Sequence, residues 1–273
     1  KLGWIEGKNI TTEYRFAEGG SVRRPELAAD LVRLKVDLIV ASWTGAALAA
    51  KRATTTIPIV MTNAGDPVRD GLVASLARPG GNVTGFSSLG ELNTKRLEIL
   101  KDAVPKLSRV GLLRPPEADY AAIIQLKNLR AAAPVLKLKL EEIETQYDAK
   151  GLEGAFQTAK QKRVQAIMTT TTRNFFAQRK RIVELAVKYR LPAIHFQKEF
   201  VDEGGLMSYG ADFDDLYRKA AHYVDRILKG TKPADLPVQQ ATKFEFIINL
   251  NAAKQIGITL PYELLARANQ VIK

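Results

Sequence analysis

Small hydroxyl and amide side chains recur where short apolar runs stop, a pattern suited to holding a small molecule. Ser42, Trp43 and Thr44 follow one such run, and Thr62, Asn63 and Asp66 follow the next. In the second half, Thr170-Thr171-Thr172 and Phe196-Gln197-Lys198-Glu199 take the same places. Ligands of open parallel sheets gather at the carboxyl ends of the strands. Hydroxyls and unpaired N–H groups at a helix start can hold a carboxylate there. Trp43 and Phe196 offer faces for an apolar or aromatic ligand, and Glu199 suits an ammonium group. Tyr209 and Asp212 stand where the chain is expected to cross between lobes, and Arg114 and Tyr120 border a further strand tip as weaker candidates. Each position also has an ordinary reading. Ser42 or Thr44 can be a helix N-cap, and Asp66 before Pro67 can be an N-cap with proline at the first helical position. Phe196 can be core, Glu199 a solvated helix start, and Tyr209 and Asp212 hinge residues.

Catalytic constellations are not found. His195 lies inside a strand pattern and His222 on a helix, far apart and without a metal-ligand spacing. Nucleophile-elbow, Walker and dinucleotide-binding glycine patterns are missing, although a glycine-rich loop ahead of Lys1 stays open. Gly80-Gly81 and Gly204-Gly205 read as turns. The chain has no cysteine, which removes disulfides, thiolate nucleophiles and thiolate metal sites. No catalytic residue, metal or cofactor is expected. The net charge of +12 raises the question of nucleic acid. The basic residues are scattered along helices, as in Lys95, Arg96, Lys101 and Lys106, and the Arg179-Lys180-Arg181 cluster carries no interleaved aromatics. A basic surface is therefore expected, with no nucleic-acid partner. No run of eighteen apolar residues and no visible signal peptide occur, so no membrane-spanning segment is expected.

The elements that must position these residues form a duplicated series. In the first half a strand at 36–42 is followed by a helix at 44–53, a proline-led strand at 57–61, a Gly-Gly turn and a strand at 83–86. The second half repeats the order with a strand at 164–170, a helix at 173–189, a proline-led strand at 191–195, a Gly-Gly turn and a strand at 206–209. Proline at a strand start loses no interior ladder bond. Upstream, a strand at 9–15 and helix at 23–34 match a strand at 137–143 and helix at 152–162. The second half has one more strand at 110–113, with a helix near 118–132. The first half instead opens on Leu2-Gly3-Trp4, which reads as a helix end with Gly3 as C-cap, so an initial strand and most of a helix are expected before Lys1. Strands alternating with helices define an α/β fold of two similar lobes, each a parallel sheet flanked by helices, joined by a hinge. Lobe 1 is expected over 1–104 with about 211–240, and lobe 2 over 105–210 with about 241–273. Helices at 91–103 and 212–229, and a segment at 244–250, are the expected crossings.

Longer stretches carry a family resemblance. They include Asp37-Leu38-Ile39-Val40-Ala41, Asp66-Pro67-Val68, and the run from Gly71-Leu72-Val73 through Arg78-Pro79-Gly80-Gly81-Asn82-Val83-Thr84-Gly85. Gly204-Gly205-Leu206-Met207-Ser208-Tyr209-Gly210 and Lys232-Pro233-Ala234-Asp235-Leu236-Pro237 add to them. Over essentially its whole length the chain resembles the substrate-binding components of bacterial ABC transporters, some linked to tryptophan or tyrosine uptake. The resemblance implies a type I periplasmic-binding fold, a periplasmic location, and delivery of a small organic ligand to a permease and ATPase. Aromatic amino acids or related aromatic acids are favoured, with Trp43, Phe196 and Tyr209 near the expected cleft. A ligand-sensing domain of a transcription regulator with the same fold is the alternative.

Overall fold

The structure, a computed structural model, describes residues 2–17, 23–88, 92–116 and 120–273. Its elements run α1 (Arg24–Arg33), β1 (Ile39–Ala41), α2 (Thr44–Ala53), β2 (Ile59–Ala64), β3 (Val83–Ser87), α3 (Leu92–Ala103), β4 (Arg109–Arg114), α4 (Tyr120–Val135), β5 (Lys139–Glu144) and α5 (Ala149–Gln161). They continue through β6 (Ala166–Thr169), α6 (Arg173–Ala177), α7 (Arg179–Lys188), β7 (Ala193–His195), α8 (Glu199–Asp202), β8 (Met207–Ala211) and α9 (Phe213–Leu228). The last are β9 (Gln239–Gln240), β10 (Phe244–Asn249), α10 (Leu250–Ile256), α11 (Tyr262–Leu265) and β11 (Gln270–Ile272).

The chain divides into two compact units, Lys1–Leu89 with Asp212–Lys243, and Gly90–Ala211 with Phe244–Lys273. The first unit holds a parallel sheet in the order β1-β2-β3-β9. Its core gathers Ile39, Ala47, Ile59, Met61, Leu72 and Val238. Helix α9 starts where the Asp212 carboxylate accepts the Asp215 N–H at 2.9 Å, and it turns Leu216, Ala220, Tyr223 and Ile227 inward. The segment at 71–82 forms a loop fastened to this sheet. Asn82 donates to the Thr54 and Ile57 carbonyls at 3.1 and 2.8 Å, and Lys51 to those of Gly71 and Leu72 at 2.6 and 3.1 Å. Gly85, at φ +128°, lets β3 pass against β2, since a Cβ there would lie 2.0 Å from the Met61 carbonyl oxygen.

The second unit holds a seven-stranded sheet in the order β11-β10-β8-β7-β6-β4-β5. It is parallel except that β10 runs antiparallel to β8. Its core joins Leu97 and Leu100 of α3 to Leu112, Met168, Ile194, Met207 and Ile248. The same packing corrects the expected boundary: α3, assigned by sequence to the first lobe, turns Leu97, Ile99, Leu100 and Ala103 into the second unit's core.

Three further expectations change. Residues 9–15 form no strand, because no described strand lies beside them to take their hydrogen bonds, and Tyr14 and Phe16 stay exposed. The helix expected at 173–189 breaks at Gln178 into α6 and α7. The break lets Phe175 pack on Tyr147 and Phe176 on Phe196 and Phe200, while α7 buries Ile182, Val183 and Leu185. Strand β2 extends beyond the expected 57–61 to take in Thr62 and Asn63, both buried.

Candidate functional site

In the first unit, Ser42, Trp43, Thr44, Thr62 and Asn63 lie together at the carboxyl ends of β1 and β2. The Ser42 and Thr62 hydroxyls are 3.1 Å apart, and Thr62 donates to Asn63 Oδ1 at 3.1 Å. The same oxygen accepts the Trp43 N–H at 2.7 Å, and Thr44 Oγ1 accepts the Gly65 N–H at 3.0 Å. Neither Ser42 nor Thr44 caps helix α2. The N-cap is Trp43, whose side chain makes no cap bond. Trp43 holds φ +69° and ψ 151°, a region that only glycine enters without strain. The Asn63 bond fixes that peptide, and the indole stacks on Phe213 with centroids 6.2 Å apart. Asn63 Nδ2 is buried and finds no acceptor among the described residues. Backbone strain and an orphaned buried amide in one place cost stability, and such features concentrate at ligand sites.

Asp66 and Asp212 both accept local backbone hydrogen bonds. Asp66 Oδ1 accepts the Arg69 N–H at 3.0 Å and closes a turn, with no regular helix after Pro67. Asp212 is the N-cap of α9. Asp70, not singled out in the sequence, has one buried carboxylate oxygen without a partner, and burial raises its pKa despite Arg69 beside it.

In the second unit, Thr170, Thr171, Phe196 and Glu199 follow the carboxyl ends of β6 and β7. The hydroxyls of Thr169 and Thr170, Gln197 Oε1, Glu199 Oε2 and both His195 nitrogens are buried without hydrogen-bond partners among the described residues. Phe196 is 3 % exposed and packs on Phe200 and Phe176, a core position as well as a strand end. Tyr209 lies stacked on Phe244 and edge-on to Phe246 within β8 and β10. Arg114 is neutralised by Glu142 and Glu144, while the Tyr120 side chain lies outside the described residues.

A further residue lies among these groups. Arg96, read from sequence as one of the scattered surface cations, is 4 % exposed. Its Nη1 donates to Asn93 Oδ1 at 2.9 Å and Thr171 Oγ1 at 3.0 Å, and its guanidinium lies 6.0 Å from the Phe196 ring centre. Gln125 locks the arrangement, accepting from Asn93 Nδ2 at 2.7 Å and from the Thr171 N–H at 2.6 Å. Burial pulls the Arg96 guanidinium down to about 9, with Tyr209 acting in the other direction. Burial, and then the Arg96 charge, push His195 down to about 3, so its stacked ring beside Phe200 is neutral. Helical spacing carried the signal for Arg96. Asn93, Arg96, Leu97 and Leu100 form one i, i+3, i+4, i+7 stripe, and all four are buried. A separate hollow of about 470 Å³ beside β5 and α5 is lined by Thr145, Gln146, Asp148 and Thr158, none of them sequence candidates.

Two α/β units with parallel sheets and polar, aromatic-bordered strand ends define a binding fold of the type I periplasmic class. The chain belongs to the ABC transporter substrate binding protein family, whose model matches residues 1–272. It is similar to the tyrosine-binding protein of Clostridioides difficile (strain R20291), with 29 % identity over 94 % of this chain and 73 % of that protein. A conserved domain protein of Vibrio cholerae has 31 % identity and a TM-score of 0.90, covering 98 % of this chain and 90 % of that one. An ABC domain from Streptococcus pneumoniae, solved in complex with L-Trp, has 28 % identity and a TM-score of 0.85, covering 96 % of this chain and 90 % of that one. The family is one of solute-binding proteins rather than enzymes, working outside the cytoplasmic membrane with transporter partners. Among the described residues, no helix is long and apolar enough to cross a membrane.

Proposed function

We propose that this protein captures an aromatic amino acid or a related aromatic acid in the periplasm and delivers it to a permease and its ATPase. The observation that carries the reading is Trp43: a bulky aromatic held at φ +69°, pinned through its N–H to Asn63 and stacked on Phe213. A residue kept in a glycine conformation at a strand end makes sense where its ring must present a fixed face, and a flat ligand ring is the complement of that face. The Ser42, Thr62 and Asn63 cluster beside it supplies polar groups for the rest of the ligand. Two relatives, a tyrosine-binding protein and a domain solved in complex with L-Trp, support the same chemical class.

Calorimetric titration with L-tyrosine, L-tryptophan and benzoate tests the reading. Saturable binding of at least one is expected, weakened about tenfold or more in Trp43→Ala, the effect of losing one stacking face of an aromatic anchor. Saturable binding of sugars or aliphatic acids with no response to any aromatic compound would overturn the ligand class.

A further inference from the structure

Arg96 carries a positive charge into the interior of the second unit, and no carboxylate among the described residues pairs with it. It is 4 % exposed, and both acceptors of its hydrogen bonds, the Asn93 amide oxygen and the Thr171 hydroxyl, are neutral. Among the described residues its buried Nε finds no hydrogen-bond partner, and no carboxylate offsets its charge. A buried cation left without an anion is costly, and removing the cost by mutation to an apolar residue is open to any sequence. The chain instead builds around the charge. Asn93 and Thr171 hold the guanidinium, and Gln125 holds both of them, so α3, α4 and the segment after β6 share one closed network. Such a network fixes the direction of the remaining donors, which is what recognition of a planar anion needs.

The surroundings are those of an anion site. Thr169 and Thr170 bring two buried hydroxyls, without hydrogen-bond partners among the described residues, to the carboxyl end of β6, where ligands of parallel sheets gather. The His195 ring beyond them is neutral and adds no charge. The Phe196 face beside the guanidinium closes one side with apolar surface, strengthening any charge pair formed there.

We infer that Arg96 is the counter-charge for a carboxylate on the transported ligand, oriented by Asn93, Thr171 and Gln125, so that the protein selects carboxylate-bearing compounds over their decarboxylated amines. The inference rests on the solute-binding reading above and adds to it the group that must be present on the ligand. It also gives the otherwise unexplained buried charge a role in the loaded protein.

The test follows the Arg96 Nε–H resonance of isotope-labelled protein, assigned by its loss in Arg96→Lys, together with calorimetry. L-tyrosine is expected to shift that resonance, and tyramine, which lacks the carboxylate, is expected to leave it in place. Arg96→Gln should weaken L-tyrosine binding about thirtyfold, the loss of one charge-assisted hydrogen bond, while its affinity for tyramine stays within about threefold of the parent value. Arg96→Lys should recover part of the loss. Equal weakening of tyrosine and tyramine would mean that Arg96 only supports the fold, and would overturn the inference. Tyrosine binding with the resonance unmoved would also overturn it while leaving the aromatic reading intact. A shift with benzoate or acetate but no binding of aromatic amino acids would keep the anion site and sink the aromatic amino-acid reading. No shift with any of these carboxylates would remove the anion site.

Discussion

Trp43 and His195 show how single residues in this protein carry costs that only their settings explain. Trp43 occupies a backbone region natural to glycine, so the two smallest replacements should separate strain from packing. Trp43→Gly is expected to be more stable than Trp43→Ala by about 1 kcal/mol in denaturant unfolding, the reverse of the usual order. Equal stabilities would mean that the backbone relaxes and the strain is not real. His195 is buried, stacked on Phe200, and pushed down to about 3. Its folded pKa lies below the unfolded value near 6.5, so the unfolded chain takes up a proton that the folded one refuses. The contribution is complete above pH 6.5 and is lost as pH falls toward 3, at up to about 1.4 kcal/mol per pH unit. His195→Phe keeps the stacked ring and should flatten the stability profile between pH 6.5 and 5. An unchanged slope would place the proton uptake elsewhere. At this scale the sequence was a partial guide. The strand-end hydroxyls were legible because apolar runs end abruptly at them. Asp66 and Asp212 close a turn and cap a helix, and an acid before a turn or helix start has the same spelling as a ligand contact. Arg96 was misassigned because its charge outweighed its place on the apolar stripe of α3.

Among the elements, the β2–β3 pairing depends most sharply on one residue. A Cβ at Gly85 would meet the Met61 carbonyl oxygen at 2.0 Å and its nitrogen at 2.7 Å, both backbone atoms that cannot swing aside. Gly85→Ala is expected to lower stability by about 3 kcal/mol or more, measured by urea unfolding. A loss under about 1 kcal/mol would mean that the strands separate more easily than their parallel register suggests. Most strands were readable as apolar runs because β2, β3 and β6 are buried along their whole length. What the pattern missed follows from weak local signals. β9 is two exposed glutamines paired to β3, and α8 and α11 are single turns. The break at Gln178 depends on where Phe175 and Phe176 find partners, which no local periodicity reveals.

For the whole molecule, two α/β units built from noncontiguous stretches were legible from the repeated strand–helix–strand order, and membership of the ABC transporter substrate binding protein family agrees with it. The unit boundary was less so, because α3 is amphipathic and its sequence does not say which sheet it covers; its packing on Leu112 and Met168 decides that. The central claim is that this protein binds an aromatic carboxylic compound without transforming it. The most direct measurement is thermal denaturation of the protein against a panel of amino acids, aromatic acids, sugars and aliphatic acids, with each compound recovered and checked by mass afterwards. The account predicts that aromatic amino acids or aromatic acids raise Tm in a concentration-dependent way, equivalent to about 2.7 kcal/mol at a hundredfold excess over Kd, and return unchanged. A Tm raised only by sugars or aliphatic acids, or an aromatic compound recovered altered, would contradict it.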